Sequence, residues 1–374
     1  KVTESFCLNE IRLAAKMGID PFEMRAMNCY KESEGTTIPT GFPPDVYCEE
    51  ALFEKARPLY EAGKKRVAEK NAGSDGRYKY GIGVSLGVYG CGLDGVDASS
   101  AQAELNPDGT VSIYTCWEDH GQGADMGALV SAHETLRQAG IRPEQIRLVM
   151  NDTKICPNSG PAGGSRSQVM VGNAIRVSCE MLLAAMKKPE GGWYTRAEML
   201  EKGLNPKQEG TWTAPCKPCS SDTGKGEPFC CYMYGLFLAE VSVEVKTGKT
   251  RCDRLVCSCD IGKINNRLIV DGQISGGMAQ GVGLALTEDY EDLKRDSTMA
   301  GAGIPNIKDI PDDIEIIYTE SPRKDGPFGA SGVGEMPLTA PHAAIINGIY
   351  NACGARIRHL PARPEKVLAA MPKK

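Results

Sequence analysis

The chain has 374 residues, of which 41% are hydrophobic, and a formal net charge of −5. This length suffices for roughly two domains with sizeable cores. The acidic balance and the lack of a long Lys or Arg run argue against nucleic acid as a partner. No apolar stretch in the sequence approaches the roughly 18–20 residues of a membrane span, so we expect no membrane partner.

The first 75 residues are predicted to be helical. Apolar periodicity indicates a helix over 3–17, a short helix from Pro21 through Met27, and a charged helix over about 48–70. The run 71–76 (Asn-Ala-Gly-Ser-Asp-Gly) is typical of a linker, which predicts a domain boundary near residue 75. The sequence begins at Lys1 without a Met, and we expect the chain to be part of a longer protein.

Beyond residue 75, strands alternate with glycine-rich loops and helices. The predicted strands cover 78–89, 111–117 and 146–151, with a hairpin formed by 236–245 and 250–259. The predicted helices cover 124–138, 167–186, 271–286 and 341–353. The polar stretch between about 188 and 228 is expected to be a surface excursion.

The chain has 15 cysteines, an odd number. In a chain of this length an odd count is typical of a reducing compartment, and we expect a cytoplasmic protein. One group, Cys216, Cys219, Cys230 and Cys231, leaves open a zinc ion or a cluster. Adjacent cysteines are poor partners at one tetrahedral site, which argues against this alternative.

Three glycine-rich segments precede or begin predicted helices. Since a helix N-terminus exposes unpaired N–H groups and a partial positive charge, such a segment can bind an anion. The first is His120-Gly121-Gln122-Gly123, in which the Gln122 amide can donate and accept. The third is the segment 271–277, which contains Gln273 and is followed by Gln280.

The second segment, residues 160–167 (Gly-Pro-Ala-Gly-Gly-Ser-Arg-Ser), is the richest in donors. Its adjacent glycines allow close approach of the backbone, and two hydroxyls add donors. Arg166 offers a planar fork for a phosphate. Each segment alone is also compatible with a tight turn or helix packing, but together they favour a large polar cofactor with phosphates.

Common nucleotide and hydrolase motifs do not fit. Gly248-Lys249-Thr250 resembles the end of a P-loop, but the first glycine would fall at Val243. Gly81-Ile82-Gly83 lacks the next glycine of a dinucleotide fingerprint. The run from Gly329 would need a glycine at Val333 to form a nucleophile elbow.

Glu335 is the most informative single residue. It ends the run Gly332-Val333-Gly334-Glu335 and is followed by Met336 and Pro337. Pro337 favours an extended Met336, so the next helix can begin only after Glu335. The carboxylate is therefore predicted on the rim of a loop that can closely approach a ligand.

The motifs His120–Gly123, 160–167, 262–283 and Gly332–Glu335, in this order, resemble the xanthine oxidase family of molybdenum hydroxylases. The similarity includes the opening region around 19–25 and is greatest to bacterial aldehyde oxidoreductases that use molybdopterin cytosine dinucleotide. It implies an α+β fold with mixed sheets. Residues 1–75 would end a preceding molybdenum half-domain, and 76–374 would form the second cofactor-binding domain.

The resemblance also implies an activity and partners. The expected reaction is oxidation of an aldehyde substrate to a carboxylic acid, with Glu335 as the base beside the molybdenum and Gln122 nearby. Electrons would leave through [2Fe-2S] clusters on domains or subunits outside this chain, and the enzyme would be a homodimer. The residues expected at the cofactor are His120, Gly121, Gln122, Gly123, Ala162, Gly163, Gly164, Ser165, Arg166, Ser167, Gln273, Gln280, Gly332, Val333 and Gly334.

The sequence departs from the family pattern in two ways, and these leave alternative functions open. His120 stands where many relatives have a methionine, and the chain lacks the iron–sulfur domains and the other half of the pocket. Those parts carry most substrate-selecting side chains. Oxidation of purines, other heterocycles or carbon monoxide therefore stays possible, as does a non-catalytic ligand-binding module.

Overall fold

Eight strands form two four-stranded sheets in this computed structural model, which describes residues 13–93 and 95–372. The strands are β1 (Tyr78–Cys91), β2 (Ala98–Leu105), β3 (Val111–Thr115), β4 (Ile146–Met150), β5 (Lys207–Thr213), β6 (Cys231–Glu244), β7 (Thr250–Asp260) and β8 (Asp313–Thr319). The α-helices are α1 (Pro21–Met27), α2 (Glu49–Ala72), α3 (Ala124–Leu136), α4 (Ser167–Met186), α5 (Arg196–Glu201), α6 (Arg267–Leu286), α7 (Met336–Thr339), α8 (Pro341–Cys353) and α9 (Pro364–Ala370).

The larger sheet has the order β1-β6-β7-β8, with antiparallel pairs except for the parallel pair β7–β8. Side chains of β6 alternate between its two faces, as the period of two in a strand requires. Phe237 and Val241 face a core shared with α6 and α8, whereas Tyr234 and Leu238 face a core shared with α1 and α2. This sheet is therefore covered on both faces.

The smaller sheet has the order β4-β3-β2-β5, in which only β3–β4 is parallel. Helices α3 and α4 cover it and supply apolar residues such as Ala128, Leu136, Ile175 and Leu182 to one core. The α+β class with mixed sheets, predicted from the sequence, is confirmed.

Glycines of β1 serve packing. A Cβ added at Gly83 would lie 2.0 Å from the Ala344 carbonyl oxygen of α8. The bare backbone therefore lets helix and strand approach closely. Packing of β1 against α8 therefore accounts for the glycines of Gly81-Ile82-Gly83.

Most predicted elements are present within a few residues of their predicted bounds. Of the predicted first helix, residues 1–12 lie outside the described residues, and 13–17 are helical. Strands β2, β5 and β8 and helices α5 and α9 were not predicted. Strand β5 (Lys-Gln-Glu-Gly-Thr-Trp-Thr) lies within the predicted surface excursion, and it is held by backbone pairing with β2 rather than by an apolar pattern.

Helix α4 corrects one expectation. By length and composition alone it could cross a membrane, although no apolar stretch of that length was predicted. Its apolar side chains, however, pack into the core of the smaller sheet. A core helix passes the same test of composition.

The boundary predicted near residue 75 stays a prediction. Residues on its two sides are in intimate contact, because Asp45 forms a 3.1 Å ion pair with the fully buried Arg323. Arg323 also bonds the Asp260 carboxylate at 2.8 Å and the Tyr232 carbonyl at 2.9 Å. This ion cluster fixes the start of the segment that leads to Glu335.

Candidate functional site

A cavity of about 310 Å³ lies where four chain segments meet. The segments are the β3–α3 loop, the loop before α4, the β7–α6 connection with the first turns of α6, and the run that ends at Glu335. The predicted site residues on its wall are His120, Gln122, Gly123, Ala162, Gly163, Ser165, Ser167, Gln273, Gly332, Val333, Gly334 and Glu335. The predicted residues that do not line it are Gly121, Gly164, Arg166 and Gln280.

Glu335 lies half-buried on the cavity wall, directly before α7. Its Oε2 is buried and has no hydrogen-bond partner within residues 13–93 and 95–372. Burial raises the pKa of the Glu335 carboxyl, and the backbone N–H groups of Gly164, Glu335 and Ser165 oppose this rise. A carboxylate with a raised pKa and an unpaired oxygen is suited to accept a proton from a group bound in the cavity.

The predicted conformation of Met336 is wrong. Met336 is the first residue of α7 and is helical, not extended. Pro337 lies in the first turn, where its missing N–H has no intrahelical partner to lose. Glu335 nevertheless precedes the helix, as predicted.

The N-terminal end of α3 is already capped by the protein. The Asp119 carboxylate accepts the N–H of Gly121 at 2.7 Å and those of Gly123 and Asp125 at 3.3 Å. Burial acts to raise the pKa of Asp119, but these N–H bonds, first that of Gly121, lower it overall. Asp119 uses these donors itself, which argues against an anion bound to them, while contact of the loop His120–Gly123 with the cofactor stays a prediction.

Gln122 lies on the cavity wall but is bonded within its own loop. Its Nε2 donates to the Glu118 carbonyl at 2.6 Å, and its Oε1 accepts the N–H of His120. An amide nitrogen carries two hydrogens, so one N–H remains for a ligand.

The loop before α4 presents donors toward the cavity. Helix α4 begins at Ser167 without a side-chain cap and without an acidic residue in its first turn. Ser167 and Gln168 of this turn line the cavity. The first N–H groups of a helix have no acceptor one turn earlier, and with the helix dipole they favour a strongly polar or anionic ligand.

Arg166 corrects the prediction of a phosphate fork. Its side chain is 1% exposed and pairs with Asp97 at 2.7 Å. The other donors bond the carbonyls of Ser159, Pro161 and Ala98 and the Ser99 hydroxyl at 2.8–3.1 Å. All five N–H donors of the guanidinium are thus used inside the protein, and Arg166 supports the loop from behind.

The third predicted glycine loop is part of a helix. Helix α6 begins at Arg267 because the Asn266 side chain caps it, accepting the N–H of Ile269 at 3.3 Å. Gln273 lines the cavity from the second turn. Gln280 lies about 10 Å further along the helix, where it is exposed.

Several residues of the wall were not predicted, namely Trp117, Gln168, Lys263, Asn265, Asn266 and Ser331. Lys263 is an exposed amine on this wall, where Arg166 was expected to supply the cation. Asn265 donates to the Gln168 side chain at 2.9 Å and so joins the β7–α6 connection to α4. Lys263, Asn265 and Asn266, which stand between a predicted strand and a predicted helix, were the available signal.

The cysteine group does not form a metal site. Within residues 13–93 and 95–372, no three His, Cys, Asp or Glu side chains are placed to hold a metal ion. Cys231 lies opposite Cys91 in the register of β6 and β1, and both are free cysteines. A zinc ion or cluster held by this group is therefore not supported.

Comparison with known proteins identifies relatives of the chain. Residues 55–311 match a family described as "Molybdopterin cofactor-binding domain". The aldehyde oxidoreductase of Megalodesulfovibrio gigas is 53% identical over 368 residues, which cover 98% of this chain and 40% of that protein. The chain thus spans about two fifths of the length of this relative.

Solved structures show the same architecture. The aldehyde oxidoreductase of Desulfovibrio desulfuricans matches with a TM-score of 0.96 and 64% identity, over 99% of this chain and 40% of that one. The CO dehydrogenase of Oligotropha carboxidovorans matches with a TM-score of 0.76 and 20% identity, over 96% of this chain and 49% of that one. At 20% identity, the similarity to the CO dehydrogenase shows only a shared fold.

Proposed function

The chain belongs to the molybdopterin cofactor-binding domain family within the xanthine oxidase family, and we propose that it is the molybdenum-binding portion of an aldehyde oxidoreductase. The proposed reaction converts an aldehyde and water into a carboxylic acid, two protons and two electrons. Two relatives with 53% and 64% identity, both named aldehyde oxidoreductase, support this substrate class.

The observation that carries the proposal is the burial and position of the Glu335 carboxylate on the cavity wall. Its Oε2 is buried without a partner within residues 13–93 and 95–372, and the residue lines the cavity to which the glycine-rich loops contribute. Leaving a buried carboxylate oxygen unpaired is unfavourable. A bound group that shares a proton with this oxygen would remove the penalty.

The cavity wall fits an organic cofactor that brings its own metal. It carries neutral amides from Gln122, Gln273 and Asn265, hydroxyls from Ser165 and Ser167, and glycine backbone. Among the residues that the structure describes, no cysteine lines this wall and His120 is the one histidine on it. A metal ion held directly by side chains would require several thiolates, imidazoles or carboxylates, whereas amides and hydroxyls suit a pterin with many donors and acceptors.

When bound, the cofactor supplies the two-electron redox chemistry. The chain supplies position and acid–base function. Gln273, Ser167 and Asn265 would bind and orient the cofactor, and apolar residues such as Ile269 and Val270 limit water at one side of the cavity. Glu335 would accept the proton of the attacking nucleophile at Oε2, and its raised pKa makes it a stronger base than an exposed carboxylate.

The finer assignments rest on the resemblance. We propose the cytosine dinucleotide form of the cofactor, with [2Fe-2S] clusters on other domains or subunits that receive the electrons. A homodimer and a cytoplasmic location belong to the same proposal. The 40% coverage of the relatives leaves room for such domains in the complete enzyme.

The test uses the full-length protein that contains this chain. We expect close to one molybdenum per chain, release of cytidine monophosphate on acid hydrolysis, and oxidation of simple aldehydes much faster than of xanthine. Faster oxidation of xanthine or of carbon monoxide than of aldehydes would show that aldehydes are not the substrate class. A protein that contains no molybdenum but is correctly folded would favour a ligand-binding module.

A further inference from the structure

We propose that Ser165 is the positioning residue for Glu335: its hydroxyl and its strained backbone hold the carboxylate on the cavity wall with one oxygen free. This inference rests on the proposed role of Glu335 as the base. Ser165 and Glu335 are 170 residues apart in sequence and belong to different loops.

The first contact is a hydrogen bond to the backbone of the base. The N–H of Glu335 donates to Ser165 Oγ at 2.9 Å. Glu335 stands just before α7, where the first N–H groups have no intrahelical acceptor. The Ser165 hydroxyl satisfies one of them and thereby fixes where the Glu335 side chain begins.

The second contact is close backbone packing. A Cβ added at Gly332 would lie 2.1 Å from the Ser165 carbonyl oxygen. The run Gly332–Glu335 therefore lies directly on Ser165, and only a glycine permits this approach. The two loops meet through backbone atoms on one side and through the hydroxyl on the other.

The third observation is the conformation of Ser165 itself. Its φ is +50°, a left-handed value that is uncommon outside glycine. The neighbouring Gly164 is anchored, since its carbonyl accepts the N–H of Gly92 at 3.0 Å. Strained residues persist where the surroundings over-determine them, commonly at functional sites. Here the strain turns the N–H groups of residues 164 and 165 toward the Glu335 carboxylate, whose charged form they favour.

A residue that only fills space in the loop would not affect the pKa of Glu335. The test is therefore the pH dependence of Glu335 protonation. In the full-length protein, a water-soluble carbodiimide with glycine ethyl ester labels protonated carboxyls, and peptide mass spectrometry reports labelling of Glu335 against pH. For Ser165→Ala we expect the pH midpoint of Glu335 labelling to rise by about one unit. The reason is that the run Gly332–Glu335 moves away from the N–H groups that stabilise the charged carboxylate. Ser165→Gly should give the same rise, since glycine accepts the positive φ but also lacks the hydroxyl.

Thr339→Ala is the matched control. Its hydroxyl donates to the Met336 carbonyl at 2.7 Å within α7, so its loss removes a hydroxyl nearby without touching Glu335. The labelling midpoint should stay at the wild-type value. An unchanged midpoint in both folded Ser165 variants would overturn the proposal.

The experiment separates this inference from the proposed function, because labelling needs no activity. A shifted labelling midpoint together with an equal shift in the acid limb of kcat/KM supports both. A shifted midpoint with an unshifted acid limb keeps Ser165 as the positioning residue and contradicts the role of Glu335 as the base.

Discussion

Arg166 and Asp97 form an ion pair of 2.7 Å in which both side chains are at most 2% exposed. The pair lies between Ser165 and Ser167 of the cavity wall and the strand β2, which begins at Ala98. Breaking such a pair leaves an uncompensated buried charge, which is costly. The loop before α4 therefore owes its shape to a contact hidden from the ligand.

Removing this cation should destabilise the protein. For Arg166→Ala we expect a loss of about 3–5 kcal/mol, because Asp97 stays buried and charged. The measurement is the midpoint of thermal unfolding of the full-length protein. Arg176→Ala on α4 is the control, since its 2.7 Å pair with Glu180 is partly exposed and should contribute about 0.5 kcal/mol or less. If both variants unfold at the same temperature and Arg166→Ala alone loses the cofactor, Arg166 would again be a candidate for phosphate binding.

A methyl group at Gly332 should displace the base. In Gly332→Ala the added Cβ would lie 2.1 Å from the Ser165 carbonyl, so the run to Glu335 must shift. We expect turnover to fall about 100-fold, the scale of a misplacement near 1 Å. Steady-state kinetics per bound molybdenum measures this. The control is Gly272→Ala on α6, where an added Cβ would meet no atom of the described residues within 4 Å. Normal turnover of Gly332→Ala would contradict the prediction, because the run Gly332–Glu335 would then accommodate the methyl group without displacing Glu335.

Glu49 should make stability depend on pH. It lies at the start of α2, with Oε2 accepting the Tyr30 N–H at 2.7 Å and Oε1 buried without a partner within residues 13–93 and 95–372. Burial raises the pKa of Glu49 to about 7, and the Tyr30 N–H opposes this. The folded state therefore binds the proton more tightly than the unfolded state, and this stabilisation is full below about pH 4.5 and is lost as pH rises through 7.

Glu49→Gln removes this dependence. Between pH 5 and 8 the wild type should lose roughly 3 kcal/mol relative to the variant. Thermal unfolding at a series of pH values measures the difference, with the exposed neighbour Glu50→Gln as the control. Parallel pH curves for wild type and Glu49→Gln would contradict the buried titration.

What the sequence predicts well is what depends on neighbours in the chain. The bounds of α4 and α8 follow from apolar periodicity, and Pro337, which suits the first turn of a helix, marks the helix that begins directly after Glu335. These signals act within a few residues, where local backbone preferences decide.

The remainder depends on contacts distant in sequence. Asp97 and Arg166 are 69 residues apart, so nothing near Arg166 indicates that its donors are already used. Asp119 is close to its helix, but its carboxylate could equally have faced solvent. Strand β5 is visible only through its pairing with β2. For these features the fold, not the local pattern, selects the role of the residue.

The most direct test of the account is Glu335→Gln in the full-length protein, with aldehyde turnover and molybdenum content measured on the same preparation. Glutamine keeps the size and hydrogen bonding of the side chain but cannot accept the proton. We predict unchanged molybdenum and a fall in turnover of about 10²–10⁴-fold. Glu288→Gln, a glutamate that burial also gives a raised pKa but that lies off the cavity wall, should retain wild-type turnover. Near-normal turnover by a molybdenum-replete Glu335→Gln protein would contradict the central claim.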